Sequence, residues 1–258
     1  MPPVTFVVQK MMLSAIFLSP IFLFSLKKVP RDTNTLLKLV LLSLISASQL
    51  AAVHLGLVEE SSGIGSVLTY TQPLFVFCLA VPFLEEKITS LKLLGAILGF
   101  IGIVVLFVGK ISVFTLNATI IMTLSGFLWA VTIVYYKRCL NKVDPLVASF
   151  FQLSLGIIPL SALTVNAFSV PMGTYLWIVL YASIGSLAIG TTLWLFLLKE
   201  EDATVLAGTS FIVPLFALLF GWEFLGERIE IGSMLGSALI LMAVYLANIR
   251  PKRNKHNA

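Results

Sequence analysis

The chain has 258 residues, of which 59% are hydrophobic and only 11% charged, with a net charge of +5 at neutral pH; the mean hydropathy is +1.03. Soluble domains carry about 25% charged residues, so a soluble domain and a disordered chain are both excluded. The basic balance does not indicate nucleic-acid binding, because the cations sit in short loops between apolar runs, and Cys78 and Cys139 lie too far apart for a C-x-x-C site or a disulfide framework.

A helix crosses hydrocarbon with about 20 apolar residues. Nine runs of that kind follow in chain order: Val4–Leu26, Leu36–Leu57, Ile64–Phe83, Leu91–Gly109, Asn117–Tyr136, Leu146–Val165, Tyr175–Leu198, Ala203–Trp222 and Ile231–Ile249. They are continuous and about twice as long as the alternating strands of an outer-membrane barrel. The predicted fold is therefore all-α, a polytopic membrane protein of nine transmembrane helices. The first run has no basic start and is followed at once by Lys27 and Lys28, so it reads as a retained span and not a signal peptide. When the loops are assigned alternately to two sides, fourteen of the 17 Lys and Arg fall on one side. Lys110 and Arg228 fall on the other, and Lys10 stays inside the first run. The positive-inside rule then predicts a cytoplasmic C-terminus, an outside N-terminus and a multi-pass protein of the cytoplasmic membrane.

Shifting the chain against itself by 141 residues aligns Leu36–Val108 with Trp177–Ile249 without a gap. Pro73-Leu74-Phe75 meets Pro214-Leu215-Phe216, Glu86-Lys87-Ile88 meets Glu227-Arg228-Ile229, and Leu94-Gly95 meets Leu235-Gly236. The shift spans five helices, an odd number, so the second copy is inverted relative to the first. Inverted repeats are a mark of secondary transporters, whose substrate site lies near mid-membrane between the repeats. The expected division is residues 1–110 (four helices), 111–250 (five helices) and a basic tail, 251–258. The fifth run has no counterpart, because its partner would precede Met1.

The segments Thr71-Gln-Pro-Leu-Phe, Phe83-Leu-Glu-Glu-Lys-Ile-Thr and Leu94-Gly-Ala resemble the end of an EamA repeat of the drug/metabolite transporter superfamily. The pattern recurs as Pro214-Leu-Phe, Phe224-Leu-Gly-Glu-Arg-Ile and Leu235-Gly, and Leu128-Trp129-Ala130 resembles the opening helix of the second repeat. Pro3 followed by Lys10 is similar to the start of the family's second helix. The resemblance implies ten helices, of which this chain would lack the first. It also implies a carrier of small metabolites, with amino acids the best-known class, working by alternating access as paired helical hairpins move.

Several residues could serve such a carrier. Lys10 is a cation inside a span, a functional candidate by default, although its stem is also long enough to snorkel to the interface. With Ser14 and Phe17 it forms a stripe suited to a carboxylate or phosphate. His54 lies at similar depth and reads either as an interfacial, packed residue or as a proton relay; Gln49 is deeper and shares a face with Ser46. Ser66, Thr69, Tyr70 and Pro73 recur under the shift as Ala207, Ser210, Phe211 and Pro214, with Gln72 beside them. A proline within a helix removes a hydrogen bond and kinks it, so Pro73 and Pro214 are candidate hinges, or packing features alone. Trp129, Gln152, Thr191 and Trp194 complete the candidate substrate-binding set.

Gly95-x-x-x-Gly99 and Gly232-x-x-x-Gly236 predict close helix packing, inside the fold or in a homodimer. Glu86 and Glu227 read as partners of the helices that follow them. No deep carboxylate, paired intramembrane acid, metal motif or phosphate loop is present, so neither an enzyme nor a cofactor is expected. The predicted partners are a small-molecule substrate and the bilayer. The alternative is a truncated, non-transporting assembly partner or inactive relative.

Overall fold

The computed structural model describes residues 2–59, 62–107, 116–164, 172–225 and 231–249. Glu60, Lys110, Glu227, Arg228, the division at 110 and the tail 251–258 lie outside the described residues. The helices are α1 (Pro3–Leu23), α2 (Thr33–Glu59), α3 (Ser62–Thr69), α4 (Gln72–Leu84), α5 (Ser90–Phe107), α6 (Leu116–Cys139), α7 (Pro145–Leu155), α8 (Ile157–Ser161), α9 (Gly173–Tyr181), α10 (Gly190–Glu200), α11 (Ala203–Thr209), α12 (Val213–Leu225) and α13 (Ile231–Asn248). A π-helical segment, Ala182–Ile189, joins α9 to α10, and a 3-10 turn, Ser210–Ile212, joins α11 to α12.

The chain is an all-α polytopic membrane protein. Among the described residues, eight helices are long and apolar enough to cross a bilayer, and Pro145–Ser161 is a shorter apolar helix. That shorter helix corrects the run predicted over Leu146–Val165. It breaks at Gly156, where a methyl group would meet Met11 Cε at 2.6 Å and Ala47 Cβ at 3.0 Å, and its helical structure stops at Ser161. Large apolar side chains cover the outside: Trp177, Tyr181 and Phe224 are each more than 70% exposed, as expected where the surrounding solvent is lipid.

The helix starts follow from capping chemistry. Asp32 accepts from the Thr35 N–H at 2.8 Å and opens α2; Thr89 Oγ1 accepts from Lys92 N–H at 3.2 Å and opens α5. Asp144 accepts from Leu146 N–H at 3.0 Å with Pro145 in the first turn of α7, a combination that satisfies an otherwise orphaned donor.

The third and eighth runs are each broken, at Tyr70–Thr71 and at Ser210–Ile212. The breaks sit at corresponding positions under the 141-residue shift, just ahead of Pro73 and Pro214. Each rests on a glycine of a neighbouring helix. A methyl at Gly126 of α6 would lie 2.9 Å from Thr71 Oγ1 and 3.0 Å from Thr69 O; one at Gly99 of α5 would lie 2.4 Å from the Phe211 ring. A Cβ would collide with backbone and hydroxyl at the first break and with the Phe211 ring at the second.

The helices that close the two halves, α5 and α13, pack along each other. Cβ atoms built on Gly95, Gly102 and Gly236 would meet, respectively, Ala243 O at 2.9 Å, Gly236 O at 3.0 Å and Leu106 N at 2.5 Å. Lipid offers no hydrophobic drive for this contact, so close van der Waals approach of small residues supplies it. The glycine face is thus taken up within the chain.

One end of the bundle, where α1, α4, α6 and α10 finish and α5, α7 and α11 begin, carries a network of charges. Lys28 pairs with Asp144 at 2.7 Å, and Lys92 with Asp202 at 2.9 Å. Glu86 does not serve the helix after it, as the sequence suggested. It reaches α11, accepting from Ala203 N–H at 2.7 Å, Thr204 N–H at 3.1 Å and Thr204 Oγ1 at 2.8 Å. Lys137 Nζ stands 3.9 Å from Glu86 and donates to Leu198 O and Glu201 O, while Arg138 donates to Phe83 O. Burial raises the Asp144 carboxyl, but its hydrogen bonds to Lys28 and to Leu146 N–H prevail and hold it below the ordinary aspartate range.

Candidate functional site

A cavity of about 310 Å³ lies between α2, α6, α7, α10 and the π-helical segment. At ~30 Å³ per water molecule it has room for about ten. It is at the lower edge of the ~300–1,000 Å³ typical of small-molecule sites. From α2 it receives Ser46, Gln49 and Leu50; from α6, Trp129, Thr132 and Ile133; from α7, Gln152 and Leu153. Ser186, Leu187, Gly190, Thr191, Trp194, Leu195 and Leu198 close the far wall. No charged side chain is among these residues.

The polar atoms divide into tied and untied. Gln152 Nε2 donates to Ser46 Oγ at 2.6 Å, Gln49 Nε2 to Ser125 Oγ at 3.4 Å, and Thr132 Oγ1 to Leu128 O at 2.9 Å. Behind the wall, Ser149 and Thr192 hydroxyls meet at 2.8 Å and hold α7 to α10. Gln152 Oε1 and Trp194 Nε1 are buried without a partner. A buried acceptor or donor left unmade costs about 1–3 kcal/mol, and both atoms belong to residues that line the cavity. Two indole walls and a neutral polar rim suit a small amphipathic molecule.

Of the predicted binding residues, Gln49, Trp129, Gln152, Thr191 and Trp194 come together here. Lys10, Ser14, His54, Tyr70 and Gln72 do not line the cavity. Lys10 and His54 meet each other at 3.0 Å, nearer the opposite end from the charge network. Ser14 Oγ donates to Lys10 O at 2.6 Å and lies 2.8 Å from Ser183 O, so it ties α1 to the π-helical segment, while Phe17 is 36% exposed and leaves the predicted stripe. Tyr70 stands behind the cavity wall, its ring 6.4 Å from that of Trp129. Gln72 is fully buried beside Pro73, and neither of its amide atoms has a partner. Pro73 and Pro214 both follow helix breaks.

Sequence reasoning missed Ser186, Leu187 and Gly190. For Leu187 and Gly190 the signal was available, because Ser46, Gln49 and Leu50 become Leu187, Gly190 and Thr191 under the same 141-residue shift. One face of α2 and its counterpart across the π-helical segment and α10 therefore line the cavity from opposite halves. The π-helical turn itself left no mark in an uninterrupted apolar run; such turns recur at functional sites. Among the described residues no three His, Cys, Asp or Glu side chains gather to hold a metal ion.

Comparison with known proteins agrees with this architecture. The chain matches the EamA-like transporter family over residues 1–108 and 116–249. It is 26% identical over 263 residues to the uncharacterized transporter YoaV of Bacillus subtilis, covering 98% of this chain and 90% of that protein. It is 27% identical over 237 residues to a WAT1-related chloroplastic protein of Arabidopsis thaliana, covering 86% of this chain and 57% of the relative. A solved crystal structure superposes with a TM-score of 0.84 at 17% identity, covering 96% of this chain and 88% of the other. That likeness establishes the fold.

Proposed function

The chain belongs to the EamA-like transporter family, and from that premise we propose that it is a secondary carrier moving a small neutral or zwitterionic metabolite, amino-acid-like in size and polarity, by alternating access. The observation that carries this reading is the uncharged cavity, with two indoles on its wall and free polar atoms on Gln152 and Trp194. The two halves, residues 1–110 and 111–250, are inverted copies that rock about the breaks ahead of Pro73 and Pro214. Both breaks rest on glycines, Gly126 and Gly99, so the supporting helix presents no side chain of its own at either contact. The buried, unpartnered amide of Gln72 beside one break supports the same motion, because a second conformation can pair it. The distribution of Lys and Arg supports a cytoplasmic-membrane protein with the charge network on the cytoplasmic side and an outside N-terminus.

The test is flux in proteoliposomes containing the full chain, screened with amino acids, nucleosides and sugar phosphates. A substrate found in this way should lose at least about tenfold in flux, equivalent to roughly 1.4 kcal/mol, in Trp194→Ala and in Gln152→Ala. Unchanged flux in both variants would remove the cavity from the transport route.

A further inference from the structure

The geometry points to Lys10 and His54 as a proton-linked site for one anionic group, carboxylate or phosphate, loaded together with one proton. Lys10 is 7% exposed along a membrane helix, and its partners are the His54 ring at 3.0 Å and the Phe6 ring, whose centroid is 4.9 Å from Nζ. Among the described residues its ion-pairing differs from that of Lys28, Lys92 and Lys137, each of which has a carboxylate within 4 Å. A buried cation is ordinarily compensated by a counter-ion, and here an aromatic face and an imidazole stand in that place.

With Lys10 taken as the ammonium, the hydrogen bonds assign the remaining protons. An ammonium can only donate, so His54 Nε2 holds the lone pair that Lys10 meets. The ring proton is then on Nδ1, aimed at Leu50 O 2.8 Å away. His54 is therefore neutral and its only acceptor is spent on Lys10. If Nε2 takes up a proton, two cations face each other and the pair separates; an anion seated between them removes the repulsion. Anion and proton thus favour each other's binding. The site holds one positive charge when empty and one when loaded with a monoanion and a proton, so loading is electroneutral.

The fold does not require this pair. Under the 141-residue shift His54 becomes Leu195, which is 2% exposed. The helices of the second half that correspond to α1 and α2 carry no Lys, His, Asp or Glu before Lys199. Apolar packing serves the same architecture there. The other titratable groups near the pair are few. Tyr175 of α9 gives its hydroxyl to Gln9, and Glu59 stands at the exposed end of α2. Helices α3, α7 and α8 and the π-helical segment carry none, and those described on α6 lie toward its opposite end. The pair is also close to the cavity: Leu50, which anchors His54 and lines the cavity, is one turn away along α2, about 6 Å at 1.5 Å per residue.

The test is calorimetric titration of the full chain in neutral detergent micelles with acetate, methyl phosphate and, as a cationic control, choline. Buffers of differing ionisation enthalpy report the protons taken up. Acetate binding alone assigns a carboxylate site and methyl phosphate alone a phosphate site; either should bring about one proton, with affinity falling about tenfold per pH unit once His54 is deprotonated. Lys10→Met should weaken binding at least about tenfold, whereas Lys10→Arg, which keeps the charge, should retain it. His54→Gln offers Lys10 an acceptor but no proton, so anion binding should persist without proton uptake. Binding of neither anion, retention of full affinity in Lys10→Met, or proton uptake surviving in His54→Gln would each overturn the proposal. Binding here and flux through the cavity are separate measurements, so this site can fail while the carrier reading stands, and the reverse.

Discussion

Among the described residues, the two ends of the bundle handle charge in opposite ways. At one end, Lys28, Lys92 and Lys137 each meet a carboxylate, and the ties run between distant parts of the chain: α5 to α11, α6 to Glu86, and the segment after α1 to Asp144. Toward the other, the buried cation Lys10 meets His54 and Phe6. At one end the scarce charge holds helices together; toward the other, the proposed site leaves Lys10 without a carboxylate. A carrier needs both, a seal that forms and breaks as a unit and polar groups left for cargo.

Three measurements break or sharpen that contrast. The largest effect is expected from Glu86→Ala, which strips α11 of three acceptor contacts and leaves Lys137 half-served. Breaking a buried charged partner costs about 3–5 kcal/mol, and thermal unfolding in micelles should show that loss, partly restored in Glu86→Gln. Lys10→Met should behave in the opposite sense. It removes a buried cation without a carboxylate and keeps the length of the side chain, so stability should hold or rise by about 1 kcal/mol; a marked fall would mean that Lys10 is structural. The smallest effect belongs to Lys28 and Asp144, an exposed pair of about 0.5 kcal/mol. Because the Asp144 carboxyl is held low in the folded state, its contribution is present above the ordinary aspartate value, about 3.9, and is lost as pH falls through the lowered one. The stability gap between wild type and Lys28→Met should therefore close in acid; a gap unchanged there would show that Lys28 acts by packing.

Most of the architecture was legible before any coordinates. Runs of apolar residues near bilayer length must be helices, since lipid leaves a backbone no other way to satisfy its own polar groups, and the 141-residue register located both helix breaks from Pro73 and Pro214. The sixth run was read too long because hydropathy does not register the stop at Ser161. The candidate site was legible in part. Gln49, Trp129, Gln152, Thr191 and Trp194 were found because a polar or indole side chain inside a span is costly and so stands out. Leu187 and Gly190 do not stand out in that way, and the π-helical turn that presents them depends on backbone geometry, not side-chain type.

Sequence alone determined the membrane class, all but one of the helix spans, the internal register and the short list of polar groups, because each follows from transfer energies and periodicity along one chain. Tertiary structure decided which of those groups meet. Glu86 serves a helix more than a hundred residues away, the glycines of α5 and α13 face each other, and Lys10 finds His54 instead of the cavity. Contacts of this kind depend on how helices cross and rotate, and that follows from close packing across the whole bundle, which no local pattern encodes.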